Sequence, residues 1–156
     1  MSNDTLPKPA NESYDIRIAR DGSWWHEGAR IERPGLVRLF ASVLQRDGNG
    51  DYWLITPAER GRITVEDAPF IAVEMVVEGS GTAQVLRLRT NLDEWVAAGP
   101  EHKLRFSESG EPYVMVRDGL EAKVARAVYY DLLELVIEVD GRQGVWSGGV
   151  FFNLTG

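Results

Sequence analysis

The chain has 156 residues, 44% of them hydrophobic, a formal net charge of −7 at pH 7 and no cysteine. That length fits one compact domain or two small ones, and an apolar content that includes five each of Trp, Tyr and Phe excludes a wholly disordered protein. The acidic balance argues against a nucleic-acid partner, which needs clustered Lys and Arg, and the missing thiols exclude disulfides, cysteine nucleophiles and cysteine metal sites.

Residues 1–12 are polar and Pro-containing and read as a flexible tail. They lack the apolar centre of a signal peptide, and no run of about 18 apolar residues follows, so the expectation is a cytoplasmic protein with no membrane span. Tyr14, Ile16 and Ile18 then alternate with Asp15, Arg17 and Ala19, the period of a half-buried strand. Asp21-Gly22 predicts a hairpin turn, and residues 23–27 the returning strand.

Pro34 suits the first turn of a helix, where its missing N–H is no loss. Leu36, Val37, Leu39, Phe40, Val43 and Leu44 recur at three and four residues and predict its buried stripe. The run Asp47-Gly48-Asn49-Gly50 is expected to stop that helix, with strands at 51–56 and 62–65 beyond it. Asp67-Ala68-Pro69 punctuates the chain and predicts a subdomain boundary, giving subdomains at 13–66 and 67–156.

Past that boundary, Ile71, Val73, Met75 and Val77 alternate with polar and smaller neighbours and predict a strand. Gly79-Ser80-Gly81 turns it into a partner strand in which Leu86 and Leu88 face the core. Further strands at 103–107 and 112–117 make the stretch 68–117 an antiparallel meander. A second helix is expected roughly over 121–137, ended by Asp140-Gly141, and 144–154 reads as a terminal strand. Asp47 precedes Trp53 by six residues, as Asp140 precedes Trp146, which suggests a duplicated strand-helix-strand motif. The expected fold class is therefore α+β, with two β-rich subdomains and a ligand cleft between them.

No stretch carries a complete catalytic or metal motif. Asp47 to Asp51 matches the first half of a calcium loop, but Tyr52 stands where the loop needs Gly and Ala58 where it needs Glu. Trp146-Ser147-Gly148-Gly149 lacks the G-x-S-x-G elbow, and Gly79-Ser80-Gly81-Thr82 lacks the lysine of a phosphate loop. His26 and His102, the two histidines, lie far apart in sequence with no metal-ligand spacing, so neither metal nor cofactor is expected. The densest chemistry is Trp24-Trp25-His26-Glu27, an imidazole beside indoles and a carboxylate. Arg outnumbers Lys fourteen to three, which favours bidentate recognition of carboxylate or phosphate oxygens.

The run DGSWWHEGARIERPGLVRLFASVLQRDGNGDYWLITPAERGRITVEDAPF resembles the opening block of the bacterial domain-of-unknown-function family 1285 (DUF1285), and VARAVYYDLLELV with GVWSGGVFFNLTG resembles its closing block. The resemblance implies two β-rich halves, the C-terminal one pleckstrin-homology-like, a site between them for a nucleotide-like ligand, and a role in signalling. Positions in the matching blocks supply the candidate site residues Trp25, His26, Arg33, Thr56, Arg126, Tyr130, Trp146 and Ser147. On that reading Arg33 and Arg126 hold an anionic group, Trp25, Tyr130 or Trp146 stack a ring, and His26 and Ser147 give directional hydrogen bonds. The rival readings are an enzyme on a phosphorylated or nucleotide substrate, with His26 as base oriented by Glu27, and a module for a protein partner.

Overall fold

Short apolar alternations punctuated by Asp-Gly and Gly-Gly pairs turn most of this chain into antiparallel strands. The computed structural model describes residues 11–154. The chain divides into two units, Met1–Glu66 and Asp67–Gly156. Of the expected tail, residues 1–10 lie outside the described residues, and Asn11 and Glu12 already belong to the first strand.

The first unit comprises β1 (Asn11–Ile18), β2 (Trp24–His26), β3 (Ala29–Arg30), α1 (Pro34–Ser42), β4 (Leu44–Arg46), β5 (Tyr52–Ile55) and β6 (Arg60–Val65). Its strands form one six-stranded sheet in the order β3-β2-β1-β6-β5-β4. β1 and β6 run parallel at the centre, and every other neighbouring pair is antiparallel. Ile16, Ile18, Trp24, Leu44, Trp53, Leu54 and Ile63 are buried in the core with Val37 and Ala41 of α1. Trp24 stacks on Phe40 of α1 with ring centroids 6.1 Å apart, which fastens the helix to the sheet. Burying a side chain of this size contributes about 1.5–3 kcal/mol.

The helix is shorter than its apolar pattern predicts. It ends at Ser42, where the Val43 N–H bonds back to Phe40 O in a tightened last turn. The Val43 carbonyl then accepts from Ile55 N at 3.0 Å, so the chain has joined the sheet before Asp47 is reached. Leu39, expected in the buried stripe, is 60% exposed. Asp47 to Gly50 turns β4 into β5 and does not stop a helix.

The second unit opens with β7 (Phe70–Glu78), a short 3-10 turn at Gly81–Ala83, β8 (Val85–Thr90) and β9 (Trp95–Ala97). It continues with β10 (Leu104–Phe106), β11 (Pro112–Arg117), β12 (Leu120–Val124) and α2 (Arg126–Leu133), then β13 (Ile137–Val139), β14 (Arg142–Ser147) and β15 (Val150–Asn153). β7 to β12 form a six-stranded sheet in the order β10-β11-β12-β7-β8-β9, and β13-β14-β15 form a separate three-stranded one. The expected single meander is in fact two antiparallel halves joined by a parallel pair, β12 with β7. Burial on β7 falls on Phe70 and Ala72, whereas Val73, Val76 and Val77 are exposed, so the far end of the strand is open on both faces; its register against β8 shifts between Ala72 and Glu74.

Leu120–Val124, expected to begin the second helix, is a strand, and α2 is confined to Arg126–Leu133. Asp118-Gly119, just before the span expected to be helical, and Asp140-Gly141, expected to end it, are two-residue hairpin turns in which both residues have φ > 0, as the mirror-image turn requires. Gly148-Gly149 is a third such turn and splits the expected terminal strand into β14 and β15.

The two six-stranded sheets share one topology. In each, the first and last strands pair in parallel, with the second and third strands continuing outward on one side and the fifth and fourth on the other. The duplication therefore lies in the sheets and not in a strand-helix-strand motif. α1 stands between the third and fourth strands of its unit, whereas α2 follows the sixth. A helix followed by a hairpin does occur in both units, but the first hairpin belongs to the six-stranded sheet and the second to the extra three-stranded one. Among the described residues no helix is long and apolar enough to cross a membrane.

Candidate functional site

The first unit encloses a cavity of about 500 Å³ bordered by Ser13 to Ile16 of β1, His26 and Glu27 at the end of β2, Phe40 and Val43 from α1 and its cap, and Leu54, Thr56 and Glu59 around the end of β5. A regular strand sends successive side chains to opposite faces. The register of β1 against β6 shifts between Ser13 and Arg17, and this irregularity lets four consecutive residues border one cavity. Ile16 pairs with His26 across the sheet, and Glu27 N donates to Asp15 O at 3.0 Å, which sets the rim. Thr56 closes the far side: its Oγ1 accepts from Glu59 N at 3.1 Å, and its N–H donates to Glu59 O at 2.8 Å.

The floor is apolar, made by Ile16, Phe40, Val43 and Leu54, while the rim carries Ser13, Asp15, His26, Glu27, Thr56 and Glu59. The Tyr14 hydroxyl is buried and has no hydrogen-bond partner among the described residues. Burial first, then the Glu59 and Glu12 carboxylates, push its pKa above the ordinary phenol value and keep the proton on. Glu59 thus favours the protonated hydroxyl both by its charge and by a loose contact that falls short of full hydrogen-bond geometry. The Tyr14 ring lies flat over Gly61 of β6, where a methyl group would overlap it. An isolated glycine within a strand marks such a close approach.

Of the sequence-predicted site residues, the cavity gathers His26 and Thr56. His26 Nε2 lies 3.8 Å from Glu27 Oε1, with both side chains more than half exposed, so Glu27 does not hydrogen-bond the imidazole into a fixed orientation. Trp25 is half-buried elsewhere in the unit, its Nε1 donating to Ser23 Oγ at 2.9 Å and its ring covered by the Arg17 guanidinium. Arg33 is exposed at the N-cap of α1.

The other four lie in the second unit. Arg126 is exposed at the first position of α2, and Tyr130, also exposed, stacks on Tyr129 at 6.4 Å. Trp146 packs on Phe151. Ser147 is fully buried: its Oγ donates to Ala98 O at 2.7 Å and accepts from Leu86 N at 2.8 Å. Its proton is committed to the protein, so the directional ligand bond expected of it has no donor. The neighbouring Gly148 has φ +59 and sits so close to Ala98 O that a side chain there would clash. Its freedom serves the packing of β14 against β8 and β9 and not the approach of a ligand.

The second unit also holds a polar cluster. Tyr113 Oη donates to Asp67 Oδ1 at 2.7 Å, and Lys123 Nζ lies 2.9 Å from Asp67 Oδ2 and 3.3 Å from Glu111 Oε2. Burial first, then the hydrogen bond to Asp67, raise the Tyr113 pKa, and Asp67 with Glu111 raise that of Lys123. Each of these groups meets another in the cluster, so it reads as a structural network. Among the described residues no group of three or more His, Asp or Glu side chains is placed to hold a metal ion.

Sequence reasoning missed Tyr14, Asp15, Phe40, Val43, Leu54 and Glu59 as site residues. Gly61, a lone glycine in the Arg60–Val65 strand, was the available signal, since it implies a bulky neighbour lying on the backbone.

Family models describe both parts of this chain. Residues 6–68 match the "Domain of unknown function (DUF1285), N-terminal domain", and residues 69–154 the "Protein of unknown function (DUF1285), C-terminal domain". The chain is similar to the crystal structure of a DUF1285 family protein from Silicibacter pomeroyi DSS-3, at 42% identity and a TM-score of 0.88, covering 95% of this chain and 84% of that one. It is also similar to a DUF1285 family protein from Shewanella baltica OS155, at 26% identity and a TM-score of 0.62, covering 78% of this chain and 91% of that one. No curated protein matches it.

Proposed function

The chain belongs to the DUF1285 family, and from that premise we propose that it is a small-molecule-binding module whose site is the cavity of the first unit. The observation that supports this is a cavity of about 500 Å³ with an apolar floor, a polar rim and a buried tyrosine hydroxyl that makes no full hydrogen bond among the described residues. Ligand sites are typically about 300–1,000 Å³ and combine apolar walls with a few placed polar groups. Binding is favoured over turnover because His26 and Glu27, the pair that would act as base and orienter, are solvated and 3.8 Å apart. A module of this kind serves signalling when ligand occupancy changes its affinity for another component.

A nucleotide-like anion finds little support in the cavity, since neither Arg33 nor Arg126 borders it. A protein-interaction role is the second reading, supported by Trp95, which is 47% exposed on the outer strand β9. It predicts a stoichiometric partner retained by the wild-type protein and lost by Trp95→Ser.

The leading reading is tested by a thermal-shift screen of small molecules against the wild-type protein and Val43→Phe, which narrows the cavity without changing its charge. A ligand at 100 times its Kd adds about 2.7 kcal/mol to the folded state, a shift of several degrees. Hits should disappear in Val43→Phe. Hits that persist there at full strength place the site elsewhere and overturn the proposal.

A further inference from the structure

We infer that the cavity of the first unit selects an organic cation, an ammonium-bearing molecule with a compact apolar body; this rests on the reading of that cavity as the binding site. Its border carries three carboxylates, Asp15, Glu27 and Glu59, and neither Lys nor Arg. Among the described residues, Asp15 and Glu59 have no basic partner, so two of the three negative charges at the rim are left for whatever enters. An anion brought there meets like charge at short range, whereas a cation gains from all three carboxylates and from low-dielectric walls on one side.

The carboxylates do not converge as metal ligands do. No group of three or more His, Asp or Glu among the described residues could share one ion. Charges spread around a cavity of this size suit a cation held at the rim by one or two carboxylates while the rest of the molecule occupies the floor. That floor is Ile16, Phe40, Val43 and Leu54, and it rewards an alkyl or aryl group, not a polyhydroxyl one. The Tyr14 hydroxyl supplies the missing directional contact. It keeps its proton yet retains oxygen lone pairs, so it can accept from an ammonium N–H with Glu59 beside it.

The experiment compares three probes that share a phenyl ring and differ in their polar end: 2-phenylethylamine, 3-phenylpropionate and 3-phenylpropanol. Each is titrated into methyl-labelled full-length protein at about 0.15 M salt, where screening suppresses the general pull of the net charge. The methyl signals of Ile16, Val43 and Leu54 report the cavity floor. The amine should move them in a saturable way at concentrations at least tenfold below those the propionate needs. The Asp15→Asn/Glu59→Gln double variant should weaken the amine at least tenfold and bring the two probes together. Its spectrum away from the cavity verifies that it is folded. If the propionate or the alcohol binds the cavity as well as the amine does, the cation proposal is wrong and the binding site stands. If none of the three moves these methyls, both the cation proposal and the binding site are overturned.

Discussion

The Trp53 indole Nε1 donates to Asp47 Oδ2 at 2.9 Å across the β4–β5 turn, and the other oxygen of that carboxylate accepts from Asn49 N and Asp51 N. This bond explains why an Asp precedes a Trp by six residues here, and why the half-formed calcium loop is only a turn: both oxygens are already engaged. The hydrogen bond from Trp53, then those from the Asp51 and Asn49 amides, hold the Asp47 pKa below the ordinary carboxylate value. A depressed carboxyl pKa contributes stability that is present above its unfolded value, about 3.9, and is lost as pH falls through the folded one. In Trp53→Phe the Asp47 carboxyl should titrate closer to the ordinary value. Carbon-detected NMR titration checks this, and an unchanged Asp47 curve would show that Trp53 is not the cause.

Ser147 serves as a rivet between β14 and the six-stranded sheet, assisted by Gln84 Nε2, which donates to Trp146 O at 3.0 Å. Ser147→Ala leaves the buried Leu86 N–H and the Ala98 carbonyl without this partner, at a cost of about 1–3 kcal/mol. Urea denaturation should show a lower midpoint with an unchanged slope. A midpoint equal to that of the wild-type protein would mean that water enters and replaces the hydroxyl.

The Tyr113–Asp67–Lys123 cluster makes the second unit sensitive to alkali. Both Tyr113 and Lys123 have raised folded-state pKa values, so their contribution is complete below the unfolded values, about 10 and 10.4. As pH rises past these values the unfolded state releases protons that the folded state retains, and stability falls. The wild-type protein should therefore lose melting temperature above about pH 10, and Tyr113→Phe should lose less over the same interval. Parallel curves for the two proteins would remove Tyr113 from the account.

Local patterns in the sequence report local structure. Leu-Glu-Ala-Lys-Val at 120–124 alternates apolar and polar residues directly after Asp-Gly, and the structure buries Leu120, Ala122 and Val124 in that period. The helix expected there came from weighting the three-and-four spacing of the residues that follow over this shorter alternation. Leu39 misled for a related reason: at 3.6 residues per turn it lies about 160° around α1 from both Val37 and Ala41, the buried residues, so it faces away from the sheet. The aromatic stretch at 24–26 was legible as a strand, but not the division of labour within it, with Trp24 in the core and His26 at the cavity rim.

The cavity was hidden because its border comes from four separate segments and an irregular register, neither of which leaves a periodic signature. Ser147 looked available beside two glycines because its partners, Leu86 and Ala98, are brought to it only by tertiary packing. Parallel pairing of first and last strands has no marker at all, since each strand reads the same whichever way its neighbour runs.

That pairing governs the order in which the chain can assemble. β1 finds its central neighbour only when β6 is present, with Arg17 opposite Thr64, and β7 likewise waits for β12, with Phe70 opposite Ala122. Most of the other strand pairs join close neighbours in sequence and have little loop entropy to overcome, whereas these two seams close long loops. On a ribosome the outer hairpins of each sheet can form as they emerge, and the seam shuts only after the sixth strand has been made. Each sheet is thus completed from its flanks inward, and until then β1 and β7 each keep an unpaired central edge open to mispairing with another nascent chain.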